Sequence, residues 1–324
     1  GNPNQFQGNV RLSATDAALT LEGPLSKNQK TTFLASARRS YLQLLFRAID
    51  LPIRPNYWDF QTKITHQVNK KTTLTFLGIG AIDEFRFEAP RDATPEKLYT
   101  INSNVLVNQW NYTIGVALKR NITNGYWNLA LSRTDFNNDI EKYEDNQNPS
   151  VANKSLDIVS AEKETKLRFD VNKNRNGWKI AYGVSAQLAN YSNTTFSVIR
   201  KEIRDNGGAI VQPAVSANFD SPLKNFIRLG AFIQAGKRFA ANRLGISAGI
   251  RTDMNTFTTD GMNALQTLSP RISFSYVLAD KWTWNSSAGI YYKMAPYTIL
   301  GFTDNNNVLV NKNARYQRSN HYTT

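Results

Sequence analysis

Residues able to do chemistry are sparse in this 324-residue chain, and their spacing suits none of the common reactions. Cysteine is absent, which removes disulfides and thiolate metal sites together. The two histidines, His66 and His321, stand too far apart in sequence to suggest a metal cluster. "DFNND" (Asp135–Asp139) opens like a calcium loop, with oxygen-bearing side chains at alternate positions. It then puts Ile140 where the sharp turn needs glycine, and Asn146 where a bidentate glutamate belongs. "GIGAID" (Gly78–Asp83) has two glycines of a phosphate-binding turn but lacks the third, and it reads as a strand entering a loop. No serine–histidine nucleophile motif is recognisable, and no carboxylate pair stands out from solvated loop acids. The expectation is a protein that is not an enzyme and has no cofactor or metal.

Charge is the remaining chemical signal. Thirty-nine Lys and Arg against 25 Asp and Glu give a formal net charge of +14, which invites nucleic acid as a partner. The cations are not gathered into a tract, however. They fall at strand ends and turns, as at Lys70, Lys71, Lys119, Arg120, Lys237, Arg238 and Arg243, or alternate with small residues inside strands. No aromatic-basic recognition motif accompanies them, so nucleic acid is not an expected partner.

The elements that would position these residues are strands. Trp178, Ile180, Tyr182, Val184, Ala186 and Leu188 alternate with Lys179, Ala181, Gly183, Ser185, Gln187 and Ala189. Ile272, Phe274 and Tyr276 oppose Arg271, Ser273 and Ser275, and a turn near Ala279–Asp280 leads into the alternating run from Trp282 to Tyr292. Similar runs give about twelve long strands. Asn-Gly at 124–125 and at 176–177 is the pair that tight hairpins favour. Short links at 26–30, 69–71, 120–125, 172–177, 239–243 and 278–281 alternate with long polar segments at 39–56, 87–104, 137–158, 203–224, 254–266 and from 296 onward.

Short turns at one end and long loops at the other are the asymmetry of outer-membrane barrels. Tyr126, Trp127, Trp178, Trp282 and Trp284 all follow short turns, where rings would form an aromatic girdle at the membrane–water boundary. The polar faces carry Lys166, Arg168, Arg228, Arg251 and Arg271 beside Gly, Ser and Ala, and such residues do not fill a soluble core. They suit a wet or plugged lumen, with the branched and aromatic face toward lipid. A mean hydropathy of −0.46 does not contradict this, because barrel strands alternate. A spanning helix is not expected: the richest stretch, "SYLQLLFRAIDLPI" (Ser40–Ile53), is short of the roughly 18 apolar residues required and is broken by Arg47 and Asp50. The fold class is therefore all-β: an antiparallel up-and-down transmembrane β-barrel, with residues 1–324 as one barrel region. The opening "GNPNQFQGNVRL" carries no visible signal peptide, and with the ending "NHYTT" it reads as a partial barrel, a fragment of something longer.

Three stretches carry a family resemblance. "LEGPLSKNQKTTFLASARRSYL" (Leu21–Leu42), with Ser36, Arg38 and Tyr41 after a Gly-Pro turn, resembles an early barrel segment of TonB-dependent outer-membrane receptors, particularly those of Bacteroidetes. "YWDFQTKITHQVNKKTTLTFLGIGAIDEF" (Tyr57–Phe85) is similar to the next hairpin, and "LSPRISFSYVLADKWTWNSSAGIYYKMAPY" (Leu268–Tyr297) to a later one. The resemblance covers about a third of the chain. It implies a Gram-negative outer-membrane location and a barrel of about 22 strands with a plugged lumen. It further implies lipid around the wall, coupling to TonB through the plug, and active uptake of a small molecule or oligosaccharide such as a siderophore or glycan. Neither plug nor TonB-contacting segment is visible here. Asp83, Glu84 and Arg86, at the first recognisable loop entrance, are the candidate ligand-binding residues. Two other readings stay open: a complete smaller barrel acting as a passive pore or membrane enzyme, and a soluble β-rich binding protein.

Overall fold

The computed structural model describes residues 1–304 and 306–324. Fourteen strands follow one another in chain order through a single sheet, every neighbouring pair antiparallel. They are β1 (Gln7–Leu12), β2 (Asp16–Pro24), β3 (Thr31–Ser40), β4 (Ile53–Asn69), β5 (Thr72–Phe87), β6 (Leu106–Ile122), β7 (Gly125–Tyr143), β8 (Lys154–Arg175) and β9 (Trp178–Arg200). After a small separate hairpin of β10 (Ile203–Arg204) and β11 (Ile210–Gln212) come β12 (Val215–Phe239), β13 (Leu244–Asn255), β14 (Ser269–Ala279), β15 (Trp282–Lys293) and β16 (Gln317–Thr323). Among the described residues, β1 and β16 each have a neighbour on one side only, so the sheet is open.

In such a meander, successive connections fall at alternate ends of the sheet. Residues 25–30, 70–71, 123–124, 176–177, 240–243 and 280–281 make short turns at one end. The segments 41–52, 88–105, 144–153, 201–214, 256–268 and 294–316 make the loops at the other. The expected asymmetry is there, with one exception: the link 13–15 between β1 and β2 is short but lies at the loop end.

Strand extent differs from the sequence reading. Among the described residues there are sixteen strands, fourteen of them in the sheet, where the sequence reading counts about twelve long ones, and the ladders run well into segments that read as loops. β7 continues to Tyr143 and β8 begins at Lys154, so the connection is ten residues rather than all of 137–158. The reason is solvent. Beyond the apolar band both faces of a strand are polar, so the period-two hydrophobic signal fades while the backbone ladder continues. The imitation calcium loop, Asp135–Asp139, is accordingly extended β7 backbone.

The two Asn-Gly pairs also differ. At 176–177 both residues take positive φ (49° and 78°), the conformation of a tight primed turn. At the other, Asn124 alone does so (59°) and Gly125 opens β7. There glycine is needed for space, since a Cβ would lie 2.0 Å from the Asn172 carbonyl oxygen.

One face of the sheet is apolar and bare. On β9, Trp178, Tyr182 and Val184 are 42, 40 and 56% exposed, whereas Gly183, Gln187 and Asn193 on the opposite face are buried. A soluble protein would reverse this. The apolar run from Trp178 to Leu188 covers ten residue steps before Asn190. At about 3.4 Å per residue and a tilt of about 40°, it rises about 26 Å, the height of the lipid-facing band of an outer-membrane barrel. On β6, Trp110, Tyr112, Ile114, Val116 and Leu118 share this face before Arg120 ends the run. Of the five rings in the expected girdle, Trp127, Trp178 and Trp284 lie on the apolar face by register, and Trp282 is highly exposed beside the turn. Tyr126 lies on the polar face, where Lys119 Nζ sits 4.2 Å from its ring centroid.

Candidate functional site

The polar face is covered at its loop end by the protein's own chain. Segment 294–316, which includes the short helix α3 (Tyr297–Leu300), folds back onto it. Met294, Tyr297 and Leu300 pack against Ala189 and Tyr191 of β9 and Leu223 and Phe226 of β12, forming the main buried apolar cluster of the described residues. A β-bulge between Leu223 and Phe226 turns this part of β12.

Charge is organised around that cluster. Arg228 and Glu164 face the same side of the sheet, and the Tyr297 hydroxyl joins them. It donates to Glu164 Oε1 and accepts from Arg228 Nη1 at 3.1 Å. Burial, then the neighbouring Glu164 carboxylate, push the Tyr297 hydroxyl pKa up, so it stays protonated as a donor. Tyr316 closes the other side by accepting from Asn255 Nδ2 at 3.1 Å, and burial raises its pKa too. Between them lies a cavity of about 490 Å³, lined by Glu162, Glu164, Arg228, Arg251, Asp253 and Tyr316 among others. Arg251 is held by Asp253. A pocket with guanidinium, carboxylate and phenol groups can hydrogen-bond a polar or charged small molecule, but none of these groups is paired for nucleophilic attack.

A second group of loops frames the same rim. Asp50, after helix α1 (Leu42–Ala48), takes the Lys97 ammonium from helix α2 (Pro95–Ser103) and the backbone N–H groups of Arg91 and Asp92. The Lys97 contact and those N–H bonds hold its carboxyl at about 2. Asn146 ties the next loop to this one by donating to the backbone carbonyls of Ile101 and Asn104, and Ile101 is fully buried.

The three residues singled out from sequence do not converge. Asp83 lies on the polar face, opposite Tyr57, two ladder positions from Asp59, which accepts from Arg38 Nε at 2.6 Å. Glu84 and Arg86 lie on the other face, where Arg86 Nη2 donates to Glu84 Oε1 at 3.3 Å and Asn56 Nδ2 donates to Glu84 Oε2 at 3.4 Å. Reading the stretch as a loop entrance hid this, because adjacent residues of a strand must face opposite ways. The Tyr297–Glu164–Arg228 group went unnoticed in sequence because its members are separated by up to 133 residues. The two histidines are also apart: His66 is bonded to Thr31 Oγ1 on the apolar face, and His321 stands on β16 against Tyr291.

Three comparisons bear on this arrangement. The sequence matches the family described as TonB dependent receptor-like, beta-barrel, over residues 43–323. Among solved structures, the ferripyoverdine receptor of the outer membrane of Pseudomonas aeruginosa aligns with a TM-score of 0.66 at 13% identity, over 99% of this chain and 46% of its own. The siderophore receptor PirA from Acinetobacter baumannii gives 0.57 at 10% identity, over 90% and 43%. The ferric enterobactin receptor PfeA of P. aeruginosa gives 0.57 at 12%, over 91% and 44%. At these identities the likeness shows the fold, and the chain spans a little under half the length of those receptors. Curated protein sequences give no match. No helix among the described residues is long and apolar enough to cross a membrane. The family is one of outer-membrane receptors and transporters, which favours the receptor wall over the passive pore and the soluble binder. With an antiparallel wall, an apolar band of membrane height and a loop-covered polar face, this chain belongs to the TonB-dependent receptor β-barrel family.

Proposed function

We propose that this chain is part of the wall of an outer-membrane receptor that takes up a small polar nutrient by TonB-coupled transport. The carrying observation is the pairing of a bare apolar band about 26 Å high with a polar face that the chain's own loop covers at one end. The apolar face meets outer-membrane lipid in a Gram-negative cell. The polar face lines a lumen completed by further strands and a plug, through which TonB would act. The ligand is a siderophore-like or oligosaccharide molecule held by loops at the rim, with the cavity at Glu164, Arg228 and Tyr297 as this wall's contribution. Asp83 belongs to the same lumen-facing surface, and Glu84 and Arg86 to the outer rim. The wall acts by binding and passage, without catalysis.

The test is uptake of labelled ferric siderophores and oligosaccharides by cells expressing the whole receptor, with and without a functional TonB. Accumulation of one class that requires TonB, and that drops with Arg228→Ala, is the expected result. TonB-independent entry scaling with solute size would instead show a passive pore.

A further inference from the structure

The apolar face is grooved where β2 to β6 run side by side. Small residues form its floor on either side of Phe60 and Thr62 of β4: Ala35 and Ala37 of β3, bordered by Leu19 and Leu21 of β2, and Gly78 and Gly80 of β5, bordered by Tyr112 and Ile114 of β6. The depression is open to the surroundings, measures about 530 Å³ and is mainly apolar. Strand register places one row directly above it on the loop side: Ala17, Arg39, Trp58, Ile82 and Trp110.

Arg39 is the cation of that row. It is exposed, and its guanidinium lies 4.9 Å from the Trp58 ring centroid. Arg38, next along the strand, points the other way and binds Asp59. Among the described residues, no carboxylate reaches Arg39 within ion-pair distance, whereas Glu84 and Glu88 higher on the rim are already matched by Arg86, Arg47 and Arg54. An arginine without a counter-anion is costly on a lipid-facing surface. One stacked against an indole keeps its N–H edges free for a bidentate oxyanion. Apolar slot and cation are stacked in the order of acyl chain and headgroup.

We infer that this groove binds an acylated, phosphate-bearing lipid of the outer leaflet, one acyl chain lying along β3 over Ala37 and Ala35, between Leu19 and Leu21 of β2 and Phe60 of β4, and a phosphate on Arg39. The inference rests on the membrane reading above.

The test uses the whole receptor in nanodiscs of phosphatidylcholine, titrated with bisphosphorylated lipid A or its dephosphorylated form, with retained lipid counted by native mass spectrometry. The wild type should prefer the phosphorylated form about tenfold, the worth of one charge-assisted contact. Arg39→Ala should abolish that preference and Arg39→Lys should restore part of it. Ala37→Leu, which fills the slot with an apolar group tolerated by lipid, should weaken both forms while leaving the preference. A receptor that enters nanodiscs but shows equal affinity for both forms, unchanged by Arg39→Ala, overturns the lipid site and leaves the membrane reading standing. A receptor that cannot be incorporated at all overturns both.

Discussion

Replacing Tyr182 by arginine puts a charge on the apolar face four residues above Trp178 and six below Leu188. At about 3.4 Å per residue and a tilt of about 40°, the site lies about 10 Å from one edge of the band and about 16 Å from the other, near the bilayer midplane. A charge there costs about 2–4 kcal/mol, a shift of roughly 30- to 1000-fold in the folding equilibrium. The matched control is Ala181→Arg. It changes the neighbouring residue at nearly the same height but on the polar face, where the paired positions are Asn172 and Gln234 and no cation is directly opposed. Its cost should stay within about 0.5 kcal/mol, as for an ordinary surface substitution. Denaturant titration of the receptor in bilayers, followed by tryptophan fluorescence, reads both values. Equal costs, or a larger one for Ala181→Arg, would mean that the apolar face does not meet lipid.

Tyr297→Phe removes the hydroxyl shared by Glu164 and Arg228; it should weaken docking of segment 294–316 by about 1–2 kcal/mol and speed hydrogen exchange there while the strands keep their protection. The Asp50 carboxyl is depressed to about 2 from an ordinary 3.8, so its clamp on Lys97 is fully present above about pH 4 and is lost as pH falls toward 2. Protease cutting in 88–105 should rise over that window, and Asp50→Asn should cut readily at neutral pH. An added Cβ at Gly183 would meet the Phe169 carbonyl oxygen at 2.6 Å and the Phe232 ring at 2.8 Å, so Gly183→Leu should strain the β8–β9 ladder as well as displace the ring and cost about 1–3 kcal/mol in the same titration. Expressed alone, residues 1–324 should bind the whole receptor's ligand far more weakly than the receptor does, since their sheet has two open edges; equal affinity in a direct titration would show that this wall carries the site by itself.

Much of this architecture is written in local pattern. The alternation from Trp178 to Leu188 specifies both a strand and its two faces, because period two is a property of extended backbone. The short polar links specify hairpins, and their regular alternation with long segments specifies which end is which. Composition carries no such information about where β7 and β8 stop, because outside the band water satisfies both faces and the apolar signal disappears. The splitting of Asp83 from Glu84 and Arg86 was available in principle, since it needs only that Asp83–Arg86 be extended. What tertiary structure alone decided is which distant residues share a surface. Tyr297 meets Glu164 and Arg228 only because segment 294–316 turns inward over β8, β9 and β12. Trp58 stands beside Arg39, and Leu19 and Phe60 beside Ala37, only because the registers of β2, β3 and β4 bring those positions into shared rows. Register and loop docking are set by the sum of many weak non-local contacts, and a window of neighbouring residues does not contain that sum.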